Sequence, residues 1–130
     1  MEGRDIVDSM TNGAITYCDR DEETGNIQWT AHPKFKGVFL KHLIKGADTE
    51  GRLSCHLVRV DPGCMLDEHI HTGEWELHEI IRGEGECRLN SRQIRYHPGC
   101  MTVIPQGAAH KVVAGSRGLV LLAKFFPAVI

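Results

Sequence analysis

The chain has 130 residues, of which 42% are hydrophobic and 25% are charged, and its formal net charge at pH 7 is −2. This length suits one folded domain, and the composition excludes a disordered or fibrous chain. The slightly acidic balance argues against nucleic acid and anionic membranes as partners, because both attract basic surfaces.

The sequence shows neither a secretory signal nor a membrane-spanning segment. Residues 1–6 lack the apolar stretch of a secretory signal, and the longest apolar run, residues 118–123, is far too short to cross a bilayer. We therefore expect a cytoplasmic protein with no membrane partner. The five cysteines are scattered and odd in number, which predicts reduced thiols rather than a disulfide framework.

The first thirty residues are polar. We interpret the charged run at residues 19–23 as a solvated loop. Two short apolar segments, residues 15–17 and 27–29, are predicted to form outer strands or an arm. Nothing in this region resembles a second folded domain.

Glycines punctuate the rest of the chain, and segments rich in Val, Ile, Leu and Phe lie between them. Turn signals that recur about every 8–12 residues between short apolar segments are typical of an all-β sandwich or barrel. Pro62-Gly63, Pro98-Gly99 and the sequence from Pro105 to Gly107 reinforce three of the turns. The predicted strands cover residues 37–43, 53–61, 68–71, 76–82, 86–89, 93–96, 101–104, 110–114 and 119–126.

One stretch, residues 66–82, also fits a helix, because its apolar residues form a roughly helical stripe and it is rich in glutamate. A glycine in its middle argues against one continuous helix. The polar pairs His69/His71 and Glu76/His78 are each two residues apart, and a spacing of two is that of a strand. We therefore predict two strands here, separated by a turn.

Histidine is frequent in this sequence, with eight copies, and three of them lie within residues 67–78. Histidine is the commonest metal ligand. On a strand, His69 and His71 would share one face, and Glu76 could converge on them if its strand were the antiparallel neighbour. Two imidazoles and a carboxylate describe a transition-metal centre with open positions. His110, which follows a rigid turn, is the best-placed candidate for a fourth ligand.

These residues resemble the two sequence motifs of the cupin family. The first motif is matched position by position by Gly63, His69, Ile70, His71, Glu76 and Gly83. The second is matched by Gly99, Pro105, Gly107 and His110. The distance between the motifs is that of compact microbial cupins, and the match spans more than a third of the chain.

The resemblance implies a single-domain cupin jelly-roll β-barrel of two antiparallel sheets over residues 31–130, with an N-terminal arm or outer strands over residues 1–30. It also implies one divalent transition metal ion (Fe, Mn, Ni, Zn or Cu). The implied ligands are His69, His71, Glu76 and His110. Two positions depart from the family pattern: an asparagine is replaced by Ala114 and an acidic residue by Cys100, and neither is a ligand.

His78 shares a strand face with Glu76 and is predicted to lie inside the barrel. Histidine is a common catalytic general acid or base, and we predict this role or direct substrate contact for His78; the alternative is that it orients Glu76 or lines the pocket. The neighbouring Trp75 should point outward. Strand parity alone does not decide whether His56 faces the interior. The other histidines are interpreted as core or surface residues: His32, His42 and His97.

Four protein ligands to an octahedral metal ion leave two coordination positions open, and a substrate with two oxygens could chelate the metal there. We therefore predict a metal-dependent enzyme acting on a small oxygen-rich acid, diketone or sugar acid, as a dioxygenase, an isomerase or a lyase. The alternative is a non-catalytic module that binds a small molecule or a metal as a sensor. A small barrel with exposed outer strands also leads us to expect a homodimer.

Overall fold

The computed structural model describes residues 5–130, and this part of the chain is almost entirely β-structure. It contains one short α-helix, α1 (Ile6–Thr11), and two 3-10 turns, Thr24–Asn26 and Gly46–Asp48. The strands are β1 (Ala14–Thr16), β2 (Asp21–Glu23), β3 (Thr30–Ala31), β4 (Val38–Ile44), β5 (Ser54–Val60), β6 (Met65–His69), β7 (Trp75–Leu89), β8 (Arg92–Tyr96), β9 (Met101–Ile104) and β10 (His110–Phe126).

The two longest strands, β7 and β10, belong to both sheets of the barrel. Residues 75–83 of β7 pair with residues 119–126 of β10, and residues 85–89 pair with residues 110–114. The first pair extends through β5, β4 and β3 on one side and through β9 on the other. The second pair is flanked by β6 and β8. All these pairings are antiparallel, which confirms the expected cupin jelly-roll barrel of two antiparallel sheets.

Glycines allow β7 and β10 to bend where each strand passes from one sheet to the other. Gly83 has a φ of +82° and Gly118 a φ of +76°, a left-handed conformation that glycine adopts without strain. A Cβ atom on Gly83 would collide with the carbonyl oxygen of Gly118 on the neighbouring strand. The register of β7 against β10 shifts at this point, between Ala114 and Leu119. The bend therefore depends on the close approach of two backbones.

Alternation along each strand divides the apolar residues between two cores. The inner core, between the sheets, includes Val38, Val58, Tyr96, Val112 and Leu121. The outer core lies on the other face of the larger sheet, where Val7 packs with Leu43, Leu57, Val120 and Leu122. The N-terminal region thus covers part of the barrel wall, although the domain boundary predicted at residue 30 stays a prediction.

Most of the predicted strands are present, but several bounds differ. The segments predicted as 76–82 and 86–89 form one strand, as do 110–114 and 119–126, because the glycine bends do not end the pairing. Residues 27–29 are not a strand; β3 follows them. The charged run predicted as a loop contains β2, which pairs with β1 as a hairpin. No helix in residues 5–130 has the length and apolar character needed to span a membrane.

A candidate metal centre

Four of the predicted site residues converge on one point. His69, His71, Glu76 and His110 each offer a ligand atom, and these atoms all lie within 4.8 Å of one another. His69 is the last residue of β6, His71 lies in the loop after it, and Glu76 and His110 stand near the starts of β7 and β10. The structure thus brings together the four side chains that the spacing and the resemblance singled out.

The route by which they converge differs from the predicted one. β6 pairs with β10 rather than with β7, so that His69 and His110 are cross-strand partners with ring centroids 4.1 Å apart. The adjacency proposed between the strands of His69 and Glu76 is therefore wrong. Glu76 instead comes from the opposite sheet. The loop between them is held by a hydrogen bond from the Gly107 amide to the His71 carbonyl oxygen, 2.9 Å long.

Backbone carbonyls fix the ring orientation of two of the histidines. His69 Nδ1 lies 2.7 Å from the Asp67 carbonyl oxygen, and His110 Nδ1 lies 3.1 Å from the Ala108 carbonyl oxygen. A carbonyl can only accept, so in each ring the proton is on Nδ1 and the lone pair of the neutral ring is on Nε2. Such Nδ1–H bonds to carbonyls are what hold metal-ligating histidines in position.

Two buried atoms in this group lack hydrogen-bond partners. Within residues 5–130, neither Glu76 Oε1 nor His110 Nε2 forms a hydrogen bond, although the two atoms lie only 3.1 Å apart. His71 Nε2 is 3.5 Å from the same carboxylate oxygen. Buried polar atoms normally have partners, and a lone pair facing a carboxylate oxygen is unfavourable unless a cation lies between them. The donor set therefore fits a divalent metal ion.

The protonation states of Glu76, His69 and His71 also suit metal binding. Burial opposes ionisation of Glu76, but the adjacent His78 and His110 lower its pKa, so that it is a carboxylate. Burial lowers the pKa of His69 to about 4 and also lowers the pKa of His71. At His110 burial lowers the pKa, but the adjacent Glu76 carboxylate outweighs it and the net direction is upward. Imidazoles ligate in their neutral form.

His78 lies beside Glu76 as predicted, but both of its nitrogens are engaged. Its Nε2 is 2.7 Å from Glu76 Oε2, and its Nδ1 is 2.8 Å from the Tyr96 hydroxyl. Because the carboxylate can only accept, Nε2–H donates to Glu76 and the Tyr96 hydroxyl donates to Nδ1. The residue is only 1% exposed. The catalytic role of His78 stays a prediction, and these contacts favour the alternative, that His78 orients Glu76.

The candidate metal centre lies in a cavity of about 360 Å³ whose walls are mostly apolar. The apolar lining residues include Leu40, Val58, Leu66, Leu121, Ala123 and Phe125. His56 also lines it, which decides the question that strand parity left open: its ring faces the interior and is buried. His42 faces the same cavity, although we interpreted it as an ordinary histidine. Its alternation with Val38 and Leu40 on β4 is the signal that would have indicated this.

The other residues singled out in the sequence lie away from the four-residue group or have local partners. Trp75 points outward and is 48% exposed. His32 lines the cavity, but its Nδ1 accepts backbone hydrogen bonds from Lys34 and Phe35 in the adjacent turn. His97 is exposed. Cys87 is buried, and burial raises the pKa of its thiol. The residue that sequence reasoning missed is Tyr96, which reaches His78 from β8.

The fold and this group of side chains define a class: a small two-sheet β-barrel that holds a cluster of three histidines and a glutamate. The family model described as "Cupin domain" matches residues 56–123. Because this match covers more than half of the sequence, the chain belongs to the cupin family. A comparison with curated proteins gives no match.

Solved structures of other cupins share the fold. A predicted oxalate decarboxylase from Thermotoga maritima is 22% identical, with a TM-score of 0.73 over 79% of this chain and 95% of that one. KdgF from Halomonas sp. is 23% identical, with a TM-score of 0.68 over 77% and 86%. The polyketide cyclase RemF from Streptomyces resistomycificus is 21% identical, with a TM-score of 0.67 over 82% of each chain. Likeness at these identities shows the fold alone.

Proposed function

We propose that the protein is a mononuclear metal-dependent enzyme that acts on a small oxygen-rich molecule chelated at the candidate metal centre. The observation that carries this proposal is the pair of buried, unpaired atoms on Glu76 and His110, which face each other 3.1 Å apart. Together with His69 and His71, they supply four donors beside an apolar cavity. Such a donor set leaves open positions for a ligand.

The residues of the chain supply binding and orientation. Three imidazoles and a carboxylate suit Fe, Mn, Ni, Zn or Cu alike. A bound divalent ion would polarise a carbonyl or enolate oxygen as a Lewis acid, and a redox-active one would extend the chemistry to dioxygen. The dioxygenase, isomerase and lyase activities predicted from the sequence therefore remain alternatives within this proposal.

We propose that His78 is a positioning residue. Its Nε2–H holds Glu76 Oε2, and the Tyr96 hydroxyl holds the opposite side of its ring. To act as a general acid or base on a substrate, the Nε2–H would first have to leave the carboxylate. The apolar cavity walls lower the local dielectric constant in front of Glu76 and so strengthen its interaction with a cation.

Elemental analysis of the purified protein, after anaerobic reconstitution with each of the five metals in turn, tests the proposal. We expect about one ion per chain, and at least a tenfold lower affinity in His69→Ala and His110→Ala. Both variants should keep the β-sheet circular dichroism spectrum, because these side chains do not build the apolar core. His97→Ala, on the exposed surface, is the matched control. A wild-type protein that takes up none of the five metals would refute the proposal.

A non-catalytic module that binds a small molecule through the metal is the second candidate function. The engaged nitrogens of His78 favour it, because a ring held at both nitrogens is not available to a substrate. The two functions differ in one measurement. Metal-loaded enzyme would convert a chelating diketone or hydroxy acid to a product with a different NMR spectrum, whereas a binding module would return the compound unchanged.

We further propose that the protein is a homodimer. The edge strand β9 pairs only with β7 within the described part of the chain, and it carries exposed apolar side chains. Unprotected edges with apolar side chains favour pairing with another chain.

A further inference from the structure

The inner face of the larger sheet carries a second polar group in the same cavity as the candidate metal centre. His42 on β4 and His56 on β5 are cross-strand partners, and the same row continues to Ala123 on β10 and His78 on β7. Side chains in one row of a sheet share a face. One strand, β10, lies between β5 and β7, so the His42–His56 pair lies about 10 Å or more from the strand of Glu76.

The hydrogen bonds of this pair have a defined direction. The Val129 amide donates to Ser54 Oγ over 3.1 Å, His56 Nε2 lies 2.9 Å from Ser54 Oγ, and the Nδ1 atoms of His56 and His42 are 2.8 Å apart. Ser54 is fully buried, so its hydroxyl proton needs an acceptor, and His56 Nε2 is the one in reach. His56 Nδ1–H then donates to His42 Nδ1.

This chain of hydrogen bonds leaves one N–H donor, that of His42, without a partner. A neutral His42 that accepts at Nδ1 carries its proton on Nε2, and no hydrogen bond engages that atom anywhere in residues 5–130. Burial lowers the pKa of His56 to about 4, aided by His42, while Glu76 acts in the opposite direction. Burial and Lys45 lower the pKa of His42. The pair is therefore uncharged at neutral pH and suits an uncharged acceptor.

The space between the two polar groups is apolar. The ring of Phe125 is 5.0 Å from that of His71 and 5.6 Å from that of His56, measured between centroids, so that it bridges the two groups. Val58, Leu121 and Ala123 complete this part of the wall. Hydroxyl groups along the middle of a ligand would lose their hydrogen bonds to water here without replacement, which disfavours a sugar acid.

We propose that the His42–His56 pair is a binding subsite for the far end of the ligand. The ligand class is a molecule with a chelating oxygen pair at one end, an apolar middle, and an uncharged acceptor oxygen (carbonyl, ether or phenol) at the other end. This inference rests on the proposed function, because it assumes that the chelating end binds at the candidate metal centre. It selects the aryl or alkyl diketone type over the sugar acid.

Three hydroxamic acids with the same chelating head test the subsite: 4-methoxybenzohydroxamic, 4-ethylbenzohydroxamic and gluconohydroxamic acid. Their dissociation constants are measured by calorimetry on protein loaded with the metal that reconstitution shows to bind. The methoxy and ethyl probes are similar in size, but only the first offers an acceptor oxygen. We expect it to bind about fivefold more tightly, the value of one neutral hydrogen bond, and gluconohydroxamic acid to bind most weakly.

Two variants test whether the preference for the methoxy probe depends on His42. His42→Phe should abolish the preference for the methoxy probe, and His42→Gln, which keeps a donor, should retain part of it. The ratio of two affinities within one sample does not depend on the fraction of folded protein. His97→Phe is the surface control and should keep the full preference.

The outcomes separate the two proposals. Protein that binds no metal overturns the proposed function and the subsite with it. Protein that binds metal and all three probes, but shows equal affinity for the methoxy and ethyl compounds, overturns the subsite alone. A preference that persists in His42→Phe, or tightest binding of gluconohydroxamic acid, does the same.

Discussion

The hydroxyl of Tyr96 influences the candidate metal centre indirectly, because it contacts His78 and none of the four candidate ligands. It is fully buried and donates to His78 Nδ1, which lets the opposite side of the His78 ring donate to Glu76. We expect Tyr96→Phe to lower the free energy of unfolding by about 1–3 kcal/mol, because His78 Nδ1 then has no donor. Metal affinity should fall about tenfold as Glu76 loses its fixed orientation.

Urea unfolding and metal titration against a competing chelator measure the two effects of Tyr96→Phe separately. Tyr17→Phe, in the N-terminal hairpin away from the cavity, is the matched control and should leave metal affinity unchanged. If Tyr96→Phe lost stability but bound metal as the wild type does, Tyr96 would be a core residue only and the positioning role of His78 would fail.

His56 should make the stability of the protein depend on pH. Burial and the neighbouring His42 lower its pKa from the ordinary 6.5 to about 4 in the folded state. Between these two values the unfolded chain binds the proton and the folded chain does not, so stability is full above about pH 6.5 and is lost as the pH falls toward 4. The contribution is on the order of 3 kcal/mol.

Chemical unfolding of the metal-free protein between pH 4 and 7 checks this dependence. His69 has a similarly lowered pKa, so the wild-type slope has more than one source. We therefore expect His56→Leu to flatten the curve in part, whereas His97→Leu, at an exposed position, should not change it. An unchanged slope in His56→Leu would show that His56 does not stay neutral in the folded state.

At the level of single residues, the sequence identified those whose role can be recognised from their spacing along the chain. The spacing of His69, His71 and Glu76 indicated three of the side chains, and the resemblance to cupins added His110 to complete the set. His56 and Tyr96 could not be placed in the same way, because the facing of the first depends on strand register and the partner of the second lies 18 residues away in the chain. Such contacts arise from the tertiary fold.

At the level of elements, the strands were predictable but their continuity and partners were not. Glycine and proline indicated where the chain turns, yet a glycine also permits a strand to bend and continue into a second sheet, as in β7 and β10. Sequence also suggested that β6 lies next to β7, whereas β6 pairs with β10. Both errors have one cause, since local patterns do not report which distant strand supplies the hydrogen bonds.

The bend in β7 gives a prediction at this scale. A Cβ on Gly83 would meet the backbone of Gly118, and its φ of +82° adds strain. We expect Gly83→Ala to lower the free energy of unfolding by about 2–4 kcal/mol, because neither backbone can move without breaking strand pairing. Gly73→Ala is the control, since a Cβ there meets nothing within 4 Å. Thermal unfolding compares the two, and equal midpoints would contradict the role assigned to the bend.

At the level of the whole molecule, the outer surface of the larger sheet is only partly covered. Helix α1 and the adjoining N-terminal residues pack over the outer core. Beyond them, Trp75 is 48% exposed, Met101 68% and Val103 61%. These three side chains lie on or beside β9, whose outer edge has no partner strand in the described part of the chain. Burial of this apolar surface would favour association.

A twofold axis beside β9 would pair the same edge of two copies, with the exposed apolar side chains on the joined surface. We expect the wild-type protein to sediment as a dimer at micromolar concentration, and Val103→Lys to shift it to monomer, because a charge on an edge strand opposes pairing. Thr16→Lys adds the same charge on the N-terminal hairpin and should leave the dimer intact. Metal affinity should be the same in both variants, because the candidate metal centre lies inside the barrel. A wild-type monomer, or a Val103→Lys protein that remains dimeric, would exclude β9 as the contact between the two copies.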